Sequence, residues 1–304
     1  MFNPEQFLKR QAEKQESRQN FHNEDYLNQL LSMANAANKI DRIQYRDFVD
    51  LYGEEAVKKD ISWVKQQKIE HQKKNSPSEI WHKKIADILE AIFHQQIEMN
   101  NYFGENVWTI KTCNYDDFYN HIDAILEIRN PDQKSANYSG VALDVTSASH
   151  PERLAKKVDR ILEKIKRGEL AKVKYFQSEF LNIRGEKSNV PLFVIGCDLK
   201  HTEELAKLWY NDKQRALAQH PIQVLLLNQI IQQAQLYRDY AKKANQAKIA
   251  DIYQQILDEF TAIADERQPT IEQISQNPAN RQFFTDDTVS ANLEKIIQNY
   301  VGAN

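Results

Sequence analysis

The chain has 304 residues, 41% hydrophobic and 27% charged, enough to bury a sizeable core in one large domain or two ordinary ones, which excludes global disorder. A net charge of -3 with a pI near 6.3 excludes a polycationic nucleic-acid binder, so any contact with a phosphate backbone must come from a local patch. Only 7 glycines are present against roughly 20 for average usage, which argues against turn-dense sandwiches and propellers and for a helix-rich chain. No apolar run is long enough to span a bilayer, and the opening MFNPEQFLKRQAEKQ is amphipathic without the apolar centre of a signal peptide. The expected location is cytoplasmic, with no membrane partner.

Residues 1–77 are rich in Gln, Asn, Lys and Glu, with apolar residues at helical spacing such as Phe48, Leu51 and Tyr52, then Val57, Ile61 and Val64. This predicts an N-terminal region of short amphipathic helices. The polar, proline-marked stretch from Gln72 to Ser78 is a boundary, with Ser78 as the expected N-cap of the next helix. From Glu79 to Asn100, Ile85, Ile88, Leu89, Ile92, Phe93 and Ile97 recur at three and four residues and predict one long helix. Then VWTIKTC (107–113), HIDAILEI (121–128) and SGVALDVT (139–146) read as three successive strands. Ser149-His150-Pro151-Glu152 has the capping-box pattern and opens a helix through Leu154, Val158, Ile161, Leu162 and Ile165. KVKYFQSEF (172–180) is a possible strand, PLFVIGCD (191–198) a firm one, and a helix follows through Leu205, Leu208 and Trp209. The region 220–304 is helical throughout. The expectation is an α/β core over 78–219, ordered helix, three strands, helix, one or two strands, helix, around a mixed sheet and flanked by helical regions. Cys113 and Cys197 form no CxxC or metal-type cluster and are expected as buried free thiols.

Strand side chains at i and i+2 share a face. In the third strand Val141, Leu143 and Val145 point one way, and Ala142, Asp144 and Thr146 the other. In the second, Asp123 interrupts a nearly apolar strand. If the two strands form a hairpin, Asp123 and Asp144 lie side by side, and two such carboxylates share a proton, bind a cation or pair with a neighbouring lysine. An oxygen-only pair suits Mg²⁺ or Mn²⁺.

With Asp123 in HIDAILEI and Asp144 in ALDVT set in that element order, residues 79–218 resemble the PD-(D/E)xK phosphodiesterase superfamily, the restriction-endonuclease-like nucleases. The resemblance implies metal-dependent hydrolysis of phosphodiester bonds in DNA, with the first acid on the second core strand and a D-x-K motif on the third. Here the motif lysine is replaced by Thr146, whose hydroxyl cannot balance developing negative charge. A lysine from a neighbouring element would have to substitute, and Lys111, Lys156, Lys157 and Lys174 are candidates. The leading helix of such folds often adds a glutamate to the metal site, for which Glu90 and Glu98 are available. The dipeptide Pro131-Asp132 matches the family's name but falls in a polar turn rather than a strand. His121 with Asp123 has metal-ligand spacing, although no further His or Cys supports zinc. Lys73 and Lys74, the Lys242-Lys243 pair and the helix carrying Arg153, Lys156, Lys157, Arg160, Lys164, Lys166 and Arg167 could follow a phosphate backbone. Two functional expectations follow: a Mg²⁺- or Mn²⁺-dependent DNA nuclease, or a catalytically silent nuclease-like fold that binds nucleic acid or protein, for which Thr146 speaks. A third reading is an unrelated α/β domain with incidental aspartates. The C-terminal helices offer a surface for self-association.

Overall fold

The computed structural model describes residues 20–129, 139–147 and 150–302. Helix α1 (Glu24–Asp41) starts on Asn23, whose side chain accepts from Tyr26 N at 3.2 Å, and buries Leu27, Leu30 and Ala34. A 3-10 turn (Tyr45–Phe48), a single turn α2 (Val49–Tyr52) and the long α3 (Glu54–Lys74) follow. Gly53 joins α2 to α3 at φ 80°, a left-handed conformation that favours glycine. Helix α4 (Pro77–Met99) begins earlier than expected: Ser76, not Ser78, is its N-cap. The reason is the box spacing. Ser76 Oγ accepts from Glu79 N, Glu79 Oε2 accepts from Ser76 N at 2.8 Å, and Pro77 takes the first turn, where no N–H is needed.

Strands β1 (Val107–Lys111), β2 (Ala124–Ile128) and β3 (Ser139–Thr146) form an antiparallel meander. After helix α5 (Pro151–Lys166) and a separate hairpin of β4 (Ala171–Gln177) and β5 (Arg184–Val190), strand β6 (Leu192–Gly196) joins parallel to β3. The sheet order is β1-β2-β3-β6. The mixed sheet and the helix-rich α/β class match the sequence reading. Strand β5 does not appear in that reading, because RGEKSNV is polar on its exposed positions. Helix α5 has His150 at its N-cap with no side-chain bond; Ser149, the expected cap, lies outside the described residues, as do Pro131 and Asp132.

Two strand ends are shorter than expected. Strand β1 stops at Lys111 and β2 starts at Ala124 because the chain between them closes into a helical turn, Asp116–Asn120, in the wide π geometry, ending on His121 at φ 56°. Buried Asp116 anchors this turn: its oxygens accept from Lys174 N at 2.8 Å, Tyr175 N at 3.0 Å and Asn120 Nδ2 at 2.6 Å.

Helices α6 (Leu199–Tyr210), α7 (Gln214–Ala218), α8 (Ile222–Lys243), α9 (Ala247–Glu266), α10 (Gln268–Gln276), α11 (Pro278–Asp286) and α12 (Thr288–Gly302) complete the chain. One contiguous apolar core runs from Phe21 to Ile296 and includes residues of all three sequence regions. Strand β6 lies at the sheet edge, where unpaired N–H and C=O groups would otherwise need partners. Side-chain amides of α8 supply them: Gln233 pairs with both Val194 N (3.0 Å) and Val194 O (2.7 Å), and Gln229 with both Gly196 N (2.9 Å) and Gly196 O (2.8 Å). Gly196 also permits the β3–β6 approach, since a Cβ there would sit 1.8 Å from Thr146 O. Among the described residues no helix is long and apolar enough to cross a membrane.

Candidate active site

Lys111, the last residue of β1, is only 1% exposed, and its Nζ donates to Glu90 Oε2 of α4 at 2.6 Å. A buried ammonium needs such a partner. Burial raises the Glu90 carboxyl, but Lys111 and then Lys83 outweigh it and hold the group below its ordinary value. The wide turn after β1 brings Asp117 to the same place. Burial pushes the Asp117 carboxyl up and the charge of Glu90 adds to this, against Lys83, Lys111 and Arg42.

Asp123 completes the group by a local irregularity. Its N–H donates to Leu143 O at 2.8 Å, while its side chain curls over the end of the ladder so that Oδ2 accepts from Val145 N at 2.6 Å. The carboxylate thus occupies a place where a continued strand would offer a carbonyl. Burial first, then Glu90, Asp117 and Asp144, push it well above the ordinary carboxyl value. Half-buried Glu90 and Asp117 and buried Asp123 therefore share one neighbourhood with buried Lys111. Of their six oxygens, only Glu90 Oε2 and Asp123 Oδ2 have a hydrogen bond among the described residues.

Glu90 and Asp117, but neither Asp123 nor Lys111, line a cavity of about 500 Å³ walled by α1, α3, α4 and the 114–118 turn. Lys39, Arg42, Lys68, Lys83 and Lys84 stand around it; Asp87, Glu90 and Asp117 face into it. The arrangement is an acidic floor under a cationic rim. Lys83 bonds Asp87 at 3.1 Å, Arg42 bonds Asn114, and Lys68 lies 5.8 Å from the Phe118 ring centroid.

The residues singled out from sequence distribute unevenly. Asp144 reaches the opposite neighbour: Lys157 Nζ donates to its Oδ1 at 2.5 Å and Arg160 Nη2 to its Oδ2 at 2.7 Å, both from α5. Its two oxygens are thereby engaged, and Asp123 and Asp144 do not face an open space together. Thr146 is buried beside Gly196. Lys156 is exposed; its neighbour Lys157 holds Asp144, because only one of two consecutive helix positions can face the sheet. Lys174 is remote in kind, bonded to Asp60 among tyrosines. Glu98 lies two turns along α4 and accepts from Thr109 N and Thr109 Oγ1 at 3.0 Å, so it secures β1 rather than joining Glu90. His121 sits in the left-handed turn before Asp123, its pKa lowered by burial and then by Arg160. Cys113 and Cys197 are buried free thiols. Asp117 escaped the sequence reading because NYDDFYN looks like a polar turn; two adjacent aspartates before HID were its only signal.

No family model matches the chain, and no curated protein or solved structure does either.

A further acidic group lies where α6 meets α12. Asp198, His201 and Asp287 place their possible ligand atoms within 4.8 Å of one another, the one group among the described residues to do so. Every carboxylate oxygen of the two aspartates already accepts at least one hydrogen bond. Asp198 Oδ1 accepts from His201 N (3.1 Å) and His201 Nδ1 (2.7 Å), and its Oδ2 from Thr288 N and Oγ1, both at 3.1 Å. Asp287 accepts from Asp198 N and Ser290 N, both at 2.7 Å. The two aspartates cap α6 and α12 and clamp these helices together, and His201, raised to about 9 by these carboxylates against burial, supplies the balancing charge. A cation there would have to displace N–H donors.

The Glu90, Asp117 and Asp123 set differs. It is oxygen-only, has oxygens without donors among the described residues, and its three ligand atoms do not all lie within 4.8 Å of one another. That suits a hard divalent cation that keeps several waters and takes one or two carboxylates from the protein. By this test the donor chemistry fits Mg²⁺ or Mn²⁺.

Proposed function

We propose that the chain is a divalent-metal-dependent phosphodiesterase acting on nucleic acid, with DNA as the first substrate to test. Glu90, Asp117 and Asp123 would hold Mg²⁺ or Mn²⁺. The observation that carries this reading is the under-compensated carboxylate group beside buried Lys111, of which Glu90 and Asp117 line a cavity that Lys39, Arg42, Lys68, Lys83 and Lys84 also line. When bound, the cation supplies positive charge for phosphate oxygens and makes a water acidic enough to attack near neutral pH.

The remaining work falls to the chain. Lys111, buried behind Glu90, would add a fixed positive charge to the site from β1, the strand beside β2, which answers the missing lysine at Thr146. Glu90 orients that ammonium. Lys39, Arg42, Lys68, Lys83 and Lys84 bind flanking phosphates. Asp144 is a positioning residue: through Lys157 and Arg160 it fixes the end of β3, whose Val145 N–H holds Asp123. A restriction-endonuclease-like core belongs to this reading, supported by the order of the elements and by the parallel β3–β6 pair reached through α5.

A second reading, a silent nucleic-acid-binding fold, is favoured by Thr146 and by the full engagement of Asp144. Purified chain incubated with linear duplex, single-stranded and branched DNA in Mg²⁺ or Mn²⁺, with EDTA controls, separates them. Metal-dependent cleavage that falls about 100-fold or more in Asp117→Asn, the scale of removing one electrostatic group from a reacting centre, supports the phosphodiesterase. Folded wild type that binds DNA and cleaves none of these substrates supports the silent fold.

A further inference from the structure

The turn that carries Asp117 has a second side. Tyr115 and Tyr119, one helical turn apart, stack on each other with centroids 5.1 Å apart and an interplanar angle of 15°. Trp63 of α3 packs against both, at 5.6 Å from Tyr115 and 5.5 Å from Tyr119. These three rings, with Lys59, Asp60 and Lys174, line an open cavity of about 360 Å³ next to the one that holds Asp117 and Phe118. Tyr119 is 59% exposed, although a ring of that size is usually covered. Phe118, the residue between, faces the first cavity, where Lys68 and His71 lie against its ring.

The charge arrangement selects the occupant. An aromatic cage for an ammonium ligand needs an open cation position, but here the inner rings already hold one: Lys174 Nζ lies 5.5 Å from the Tyr52 centroid, 5.0 Å from Tyr115 and 5.4 Å from Tyr175. The carboxylate lining this cavity, Asp60, is tied to Lys174 and to Tyr175 Oη. What remains exposed is a neutral ring face beside a cavity rimmed by cations. Successive flat groups on one side and a polyanion on the other are the two halves of a strand of nucleic acid with unpaired bases. Paired bases in a duplex present no face to a ring.

We propose that the chain binds single-stranded nucleic acid, with bases stacked on Tyr119 and Trp63 and the backbone passing over the 115–119 turn to the cationic rim above Asp117. This rests on the phosphodiesterase reading for the identity of the neighbouring site, and names the strandedness of its substrate.

The test is a binding titration of the full chain in EDTA, so that cleavage cannot intervene, using fluorescein-labelled oligo(dT), oligo(U) and a duplex. Single strands should bind more tightly than duplex. Tyr119→Ala and Trp63→Ala should each weaken single-strand binding by roughly 5- to 150-fold, the range of one lost base stack, while Tyr119→Phe, which keeps the ring, binds as wild type does. The preferred sugar then tells DNA from RNA. The proposal is overturned if both alanine variants bind single strands as wild type does, if duplex binds as tightly, if no oligonucleotide binds, or if tetramethylammonium rather than oligonucleotide quenches the Trp63 emission in a Tyr119-dependent way. Cleavage in Mg²⁺ with binding indifferent to Tyr119 removes this proposal and leaves the phosphodiesterase. Tyr119-dependent binding without cleavage does the reverse.

Discussion

Two acidic groups, one between Glu90 and Asp123 and one between Asp198 and Asp287, show how differently the same side chains can be used. At Asp198 and Asp287 every carboxylate oxygen accepts at least one hydrogen bond, and His201 sits between them as the counter-charge. At Glu90, Asp117 and Asp123 two oxygens of six do, and Lys111 alone is in direct contact. The first group is tighter in space, yet the second keeps more carboxylate oxygens without donors, which is why we propose it as the cation site. Proximity of carboxylates counts for less than whether N–H donors have already consumed their lone pairs. A helix N-terminus brings such donors with it, which is why the acids that cap α6 and α12 are structural. The π turn and the strand end that carry Asp117 and Asp123 bring few.

The largest effect that would break this contrast is on activity. Asp117→Asn should lower metal-dependent cleavage about 100-fold or more while changing stability, read by urea midpoint, by no more than about 0.5 kcal/mol, because the carboxylate it replaces has no donor to lose. Asp144→Asn should act indirectly, through the β3 end, and cost about 10-fold in cleavage; a loss as great as that of Asp117→Asn would move the centre to the opposite sheet face. At the clamp the ordering reverses: Asp287→Ala should cost about 3 kcal/mol of stability by orphaning two N–H groups and the His201 charge, with the cleavage of the folded fraction unchanged.

The clamp also predicts a pH dependence. His201 has its folded pKa raised to about 9 from 6.5. Its contribution is complete below the unfolded value and lost as pH rises through about 9. Asp198 is shifted the other way, below its ordinary 3.8, so its contribution is present above that value and lost as pH falls. Urea midpoints should therefore decline from pH 7 to 9.5 in wild type, and less in His201→Gln. The smallest expected effect is Lys156→Ala, which should leave cleavage and stability within about 0.5 kcal/mol because the side chain is exposed.

Much of this frame was readable from local sequence. The long helix carrying Glu90 and the three strands follow from periodicity and spacing alone, as does the odd placement of Asp123 in an apolar strand. Its partners were not readable, for two reasons. Asp123 leaves the regular ladder, so alternation assigns it a sheet face that its side chain does not keep. The deciding contacts are also distant in sequence: Asp60 meets Lys174 across 114 residues and Asp198 meets the Asp287 carboxylate across 89. Lys156 and Lys157 show the limit at its narrowest. Both satisfy the requirement for a cation near β3, and only the rotation of α5 about its axis decides that Lys157 reaches Asp144.

The central claim is that the cation belongs at Glu90, Asp117 and Asp123 and not at the tighter Asp198, His201 and Asp287 group. Calorimetric titration of Mn²⁺ into wild type, Asp117→Asn and Asp287→Asn tests it directly. The account predicts saturable binding in wild type and Asp287→Asn that is lost in Asp117→Asn. Binding that survives in Asp117→Asn and disappears in Asp287→Asn would contradict it.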